Sequence, residues 1–142
     1  LRDPRDVCLS CFTQTFHYNQ AMRQFLDIND TARFYACVMG LWLYYKDVLD
    51  IDVLETRYED IVDNLAVAAR RILAFIGVDW HDEVMSFHDS AKKRQVFTPS
   101  YQGVTQPIYR GAMNKWKNYE PDKTQLAHGN DRILLTCTTC LR

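Results

Sequence analysis

The residues best equipped for chemistry stand at the start of the chain, in Leu1-Arg2-Asp3-Pro4-Arg5-Asp6-Val7-Cys8-Leu9-Ser10. Asp3 has a carboxylate of the kind that accepts from the free backbone N–H groups of a first helical turn. Pro4 suits the next position, where no N–H is needed. Asp6 follows three residues after Asp3, the spacing of a capping box with Asp in place of Glu or Gln. The stretch therefore predicts a helix from Pro4, with Arg2 just outside its positive end. A helix start beside arginines suits an anion, and Ser10, two turns on, adds a hydroxyl. The plain alternative is a well-capped surface helix with solvated arginines.

Other reactive groups form no constellation. Cys8/Cys11 and Cys137/Cys140 have the spacing of a four-sulfur zinc site. Leu9-Ser10, however, lacks the Gly or Asn of a zinc turn, and helical spacing accounts for Cys8 and Cys11 as core residues. A zinc-binding module remains an alternative reading. Five cysteines cannot form a complete disulfide framework. That fits a reducing compartment, and a cytoplasmic location is expected. His17, His81, His88 and His128 are scattered, and no Gly-rich phosphate loop occurs. The expectation is no catalytic residue and no metal ligand in this chain.

Several elements must hold these groups in place. A first helix is expected from Pro4 to about Phe16, a boundary good to a few residues. After a polar connection and a short amphipathic piece, Asn29, Asp30 or Thr31 caps a long helix. Its residues Phe34, Cys37, Val38, Leu41, Trp42, Tyr45 and Val48 recur at threes and fours. With so apolar a face it reads as buried. From Ile51 to Tyr58 the period changes to two with β-branched residues, a strand signal, apolar on both alternating sets. Asp63 is a candidate cap for the next helix, whose stripe is Leu65, Ala69, Ile72, Leu73 and Ile76 and whose stop is Gly77. Trp80 is expected to pack back over that end. A short helix follows from about His81, then the basic Lys92-Lys93-Arg94 and a long ordered loop through Pro107. Gly111 to Tyr119 reads as a last helix ended by Pro121. The segment from Asp122 to Arg142 fits no element with certainty.

The 142 residues suit one domain or part of one, and 47% hydrophobic with 25% charged residues is an ordinary globular balance. A net charge of −1 argues against a general nucleic-acid or anionic-membrane binder, while leaving room for a local basic pocket. No signal peptide or membrane span is evident. The chain begins with Leu on a helix-capping sequence, so an upstream portion is expected to have been removed or not captured.

These motifs together resemble the sulfotransferases that use 3'-phosphoadenylyl sulfate (PAPS), close to the bacterial enzymes with upstream tetratricopeptide repeats and to tyrosylprotein sulfotransferases. Arg2 through Ser10 looks like the family's 3'-phosphate-binding segment. Arg57-Tyr58-Glu59-Asp60-Ile61-Val62 resembles its Tyr-Glu-Asp-Leu-Val signature, and Ala69 to Gly77 the continuation. Thr98-Pro99-Ser100-Tyr101 through Tyr109, then Lys115-Trp116, resembles the loop that closes over the nucleotide. The resemblance covers residues 1–120, leaving 121–142 as a divergent tail. It implies an α/β protein, the C-terminal part of a P-loop nucleotide-kinase-like fold, mostly helical with one or two buried parallel strands. It implies that Arg2 and Ser10 hold the 3'-phosphate, Tyr58 lines the nucleotide site, Ser100 contacts the donor and Lys115 pairs with a phosphate. Such roles suit a guanidinium, an ammonium and hydroxyls. In the family the phosphosulfate loop and catalytic base precede the 3'-phosphate segment, so this chain is expected to lack both and to be inactive alone. Gly103 stands where relatives often carry Gln. The rival from another class is a catalytically dead helical interaction domain.

Overall fold

Asp3 and Pro4 start the first helix, α1 (Pro4–Thr13), as their chemistry requires. In this computed structural model residues 1–17, 19–92 and 101–122 are described, the side chains of 101, 102 and 120–122 aside. They fall into two compact units, Leu1–Arg2 with Leu54–Met113, and Asp3–Val53 with Asn114–Arg142. The described part is mostly helical. No helix among the described residues is long and apolar enough to cross a membrane.

In the second of these units, Asp3 Oδ1 accepts from the Arg5 N–H at 2.9 Å, and the Arg5 guanidinium returns to both carboxylate oxygens at 3.0 and 2.6 Å. The Arg5 side-chain hydrogen bond is the main reason the Asp3 pKa lies below the ordinary aspartate value, with burial opposing it. The cap's stabilisation is thus complete above the ordinary aspartate range and lost as the pH falls through the depressed folded value. Asp3→Ala is expected to cost about 1 kcal/mol at neutral pH. Asp3→Asn keeps the cap and loses the ion pair. Its stability gap to the parent, read by urea denaturation, should close as the pH is lowered below the aspartate range. A gap independent of pH would contradict this.

Asp6 is 2% exposed, and its carboxylate accepts from the Asn114 and Trp116 N–H groups. α1 also ends at Thr13, short of Phe16, with the Gln14 N–H closing on the Cys11 carbonyl. Cys8 is 2% exposed.

A 3-10 turn (Met22–Leu26) leads into α2 (Ile28–Val48), 21 residues long. Its cap is Asp27, which accepts from the Asn29 and Asp30 N–H groups at 2.8 and 3.1 Å. Thr31 sits one turn inside, and its hydroxyl donates to the carbonyls of Gln24 and Asp27. Phe16, Phe25 and Phe34 form a file of rings with centroids 5.2 and 5.8 Å apart. The expected burial of α2 is corrected. Thr31 and Ala32 are its buried residues, whereas Val38, Leu41, Tyr45 and Val48 are 42–50% exposed. α1 and the 3-10 turn cover one face of a helix that is apolar on two.

In the other unit, the expected strand at 51–58 is an extended segment, and no strand is assigned among the described residues. Its end nevertheless makes one rung of parallel pairing. The Leu1 amine donates to the Thr56 carbonyl, and the Tyr58 N–H donates to the Leu1 carbonyl at 2.7 Å. One rung does not make a ladder, so alternation alone carries the extended form. Tyr58 then opens α3 (Tyr58–Asp63), and Asn64, not Asp63, caps α4 (Leu65–Phe75) through the Val67 N–H.

Gly77 ends α4 in the left-handed region, φ 70°, with its N–H on the Ala74 carbonyl and the Val78 N–H on the Leu73 carbonyl. A Cβ there would meet nothing within 4 Å. Gly77→Ala therefore tests conformation alone. It should lower stability by about 1 kcal/mol, read as a shifted urea midpoint with an unchanged slope. Trp80 packs back as expected, its ring under the Arg70 guanidinium at 3.9 Å. A 3-10 turn (Asp82–Ser86), α5 (Phe87–Lys92) and α6 (Tyr101–Val104) follow. The expected last helix from Gly111 is instead two 3-10 segments, Arg110–Ala112 and Lys115–Asp122, the second running through Pro121. Asn114, at φ 56°, turns the chain between them.

Candidate functional site

The rung between Leu1 and the 56–58 segment carries Arg2 to the first turn of α3. There the guanidinium lies over the Tyr58 ring, 4.8 Å from its centroid. One of its amino groups donates to the Ala112 carbonyl at 2.5 Å. The turn that presents Ala112 is tied to α3 by Arg110–Asp63 at 2.8 Å. A guanidinium that donates to a carbonyl and stacks on a ring has its planar fork oriented in advance. Two residues singled out by sequence, Arg2 and Tyr58, are thus brought together. The Ala112 carbonyl that steadies Arg2 was not legible beforehand, since a backbone acceptor leaves no mark on residue type.

The other unit places Ser10 on the exposed side of α1 and Lys115 at the start of the last 3-10 segment, also exposed. Lys115 makes no ion pair among the described residues. The backbone on both sides of it is held by Asp6: Oδ2 accepts from the Asn114 N–H at 2.6 Å and Oδ1 from the Trp116 N–H at 3.0 Å. The Arg5 guanidinium covers the Trp116 ring at 3.5 Å, and the Lys117 ammonium lies 5.8 Å from it. The engagement of Asp6 by Asn114 and Trp116 has no sequence signal, because these partners lie more than a hundred residues away and helical spacing puts Asp6 opposite Val7, Cys8, Cys11 and Phe12.

Ser100 lies outside the described residues, as do Cys137 and Cys140. No group of three or more His, Cys, Asp or Glu residues able to hold a metal occurs among the described residues. Within its own unit, the stacked Arg2 guanidinium is a group suited to an oxyanion.

Comparison with known proteins points the same way. A model of the sulfotransferase family matches residues 1–82, a span that includes Arg2, Ser10 and Tyr58. An uncharacterized protein of Aquifex aeolicus (strain VF5) is 24% identical over 120 residues, which is 84% of this chain and 16% of that relative. The chain therefore spans about 16% of that relative's length. No solved structure matches. With more than half of its length matched by the family, the chain is a member of the sulfotransferase family.

Proposed function

We propose that the chain supplies the 3'-phosphate and nucleotide contacts of a PAPS-dependent sulfotransferase with a P-loop-like fold. In the parent reaction an acceptor oxygen or nitrogen attacks the sulfuryl group of PAPS. The bond from sulfur to the bridging oxygen breaks, and adenosine 3',5'-bisphosphate leaves. The acceptor's proton goes to a base that is not among these residues. Positioning and neutralisation of charge carry such a transfer, as in phosphoryl transfer. Arg2 and Ser10 serve the 3'-phosphate, Tyr58 lines the nucleotide, Ser100 contacts the donor, and Lys115 meets a phosphate.

The observation that carries this reading is the oriented Arg2 guanidinium on Tyr58, within the span that matches the family. A solvated surface arginine needs neither the ring nor the carbonyl. Incubation of the chain with PAPS and a phenolic acceptor should give nucleotide binding without turnover. Robust sulfated product would overturn the assignment of the phosphosulfate loop and base to sequence outside this chain.

A further inference from the structure

Asp6 is the one fully buried carboxylate among the described residues, at 2% exposure. Nothing in the nucleotide reading uses it. Both of its oxygens accept from backbone N–H groups, and the two donors, Asn114 and Trp116, flank Lys115. Asn114 is held at φ 56°, and the Lys117 N–H closes on its carbonyl at 3.0 Å. Arg5, the neighbour of Asp6 on α1, covers the Trp116 ring. Consecutive residues of one helix thus hold the residues on either side of an exposed ammonium.

We propose that Asp6 is a positioning residue for Lys115, fixing where its side chain leaves the backbone and so where its ammonium meets a donor phosphate. The inference rests on the nucleotide reading of Lys115. A lysine side chain has a flexible four-carbon stem, and a loose backbone beneath it would add to the freedom lost on binding. A carboxylate that accepts on both oxygens ties the peptide that follows the lysine to the one that enters Asn114. A neutral amide cannot do this, because one of the two N–H groups would face its NH2.

The test is a double-mutant cycle on the full chain, with adenosine 3',5'-bisphosphate as the ligand and ligand-observed NMR as the readout. Asp6→Asn should weaken binding by about five- to tenfold, and the loss should vanish in a Lys115→Ala background. Amide exchange at Trp116 should speed up in step. Asn114→Gly keeps both hydrogen bonds and accepts the positive φ. It guards against unfolding of the Asp6 variant, and should weaken binding about two- to threefold, again only when Lys115 is present. Equal losses with and without Lys115 would reduce Asp6 to a structural tether and overturn the proposal. So would unchanged binding beside faster exchange. If Lys115→Ala changes nothing while Arg2→Ala still abolishes binding, the proposal falls and the nucleotide reading stands. If neither matters, the nucleotide reading itself fails.

Discussion

Arg2→Ala is expected to remove most of the chain's affinity for adenosine 3',5'-bisphosphate. Hydrogen bonds to a charged partner contribute about 1.5–3 kcal/mol each. Their loss corresponds to roughly a ten- to hundredfold rise in Kd. Arg2 also donates to the Ala112 carbonyl and stacks on Tyr58 in a part-buried setting, so the folded state of the variant is checked alongside its binding. Arg2→Lys keeps the charge but not the planar fork, so it should fall between parent and alanine variant. Tyr58→Leu removes the ring beneath the guanidinium and keeps the charge, and should give a smaller loss than Arg2→Ala. Titration by ligand-observed NMR, with circular dichroism to confirm helicity, checks all three. Undiminished binding by folded Arg2→Ala would show that its guanidinium does not touch the ligand.

Thr31→Val is expected to lower stability markedly for a substitution of similar shape. Thr31 is 1% exposed, and its hydroxyl donates to the Asp27 carbonyl at 2.8 Å and the Gln24 carbonyl at 3.1 Å. One side chain thus joins the start of α2 to the turn before it. Valine fills the space and leaves the part-buried Gln24 carbonyl without that donor, while the Asp27 carbonyl keeps the Thr31 N–H, at a cost of about 1–2 kcal/mol. Urea denaturation followed by circular dichroism would show a lower midpoint. A midpoint within error of the parent would mean that water reaches the Gln24 carbonyl and that the site is less closed than its exposure indicates.

Thr31 also shows what could be read in advance and what could not. By type and place it was a candidate cap, but Asp27, one residue before the helix, takes that role. A hydroxyl competes for caps and for interior carbonyls alike, and only the packed turn decides between them. The signals that came through are local. Asp3 with Pro4, the helix at α4, Gly77 and the return of Trp80 each depend on residues within a few positions, whereas Ile76, expected on the stripe of α4, is 59% exposed. What the sequence did not show depends on partners outside such a window. Asp6 is engaged by Asn114 and Trp116. The segment at 51–57 alternates as a strand does, but finds one rung, at Leu1. The residues after Gly111 read as one helix, whereas a left-handed Asn114 breaks them into two tighter turns. For α2 the period was right and the burial was not, because periodicity reports an apolar face and not what covers it.

For the candidate site the same division holds. Arg2, Ser10 and Lys115 are picked out in the sequence by charge, hydroxyl and place in the chain. That Tyr58 stacks on Arg2 needed the fold, since the two meet only through the Leu1 rung.

The central claim is that this chain recognises a phosphate on the 3' position of an adenosine nucleotide. The direct measurement compares binding of adenosine 3',5'-bisphosphate and adenosine 5'-monophosphate to the unmodified chain, by ligand-observed NMR at matched ionic strength. The account predicts saturable binding with the bisphosphate preferred by about tenfold or more, as expected for one added charge-assisted contact. Equal affinity for the two nucleotides, or none for either, would contradict it.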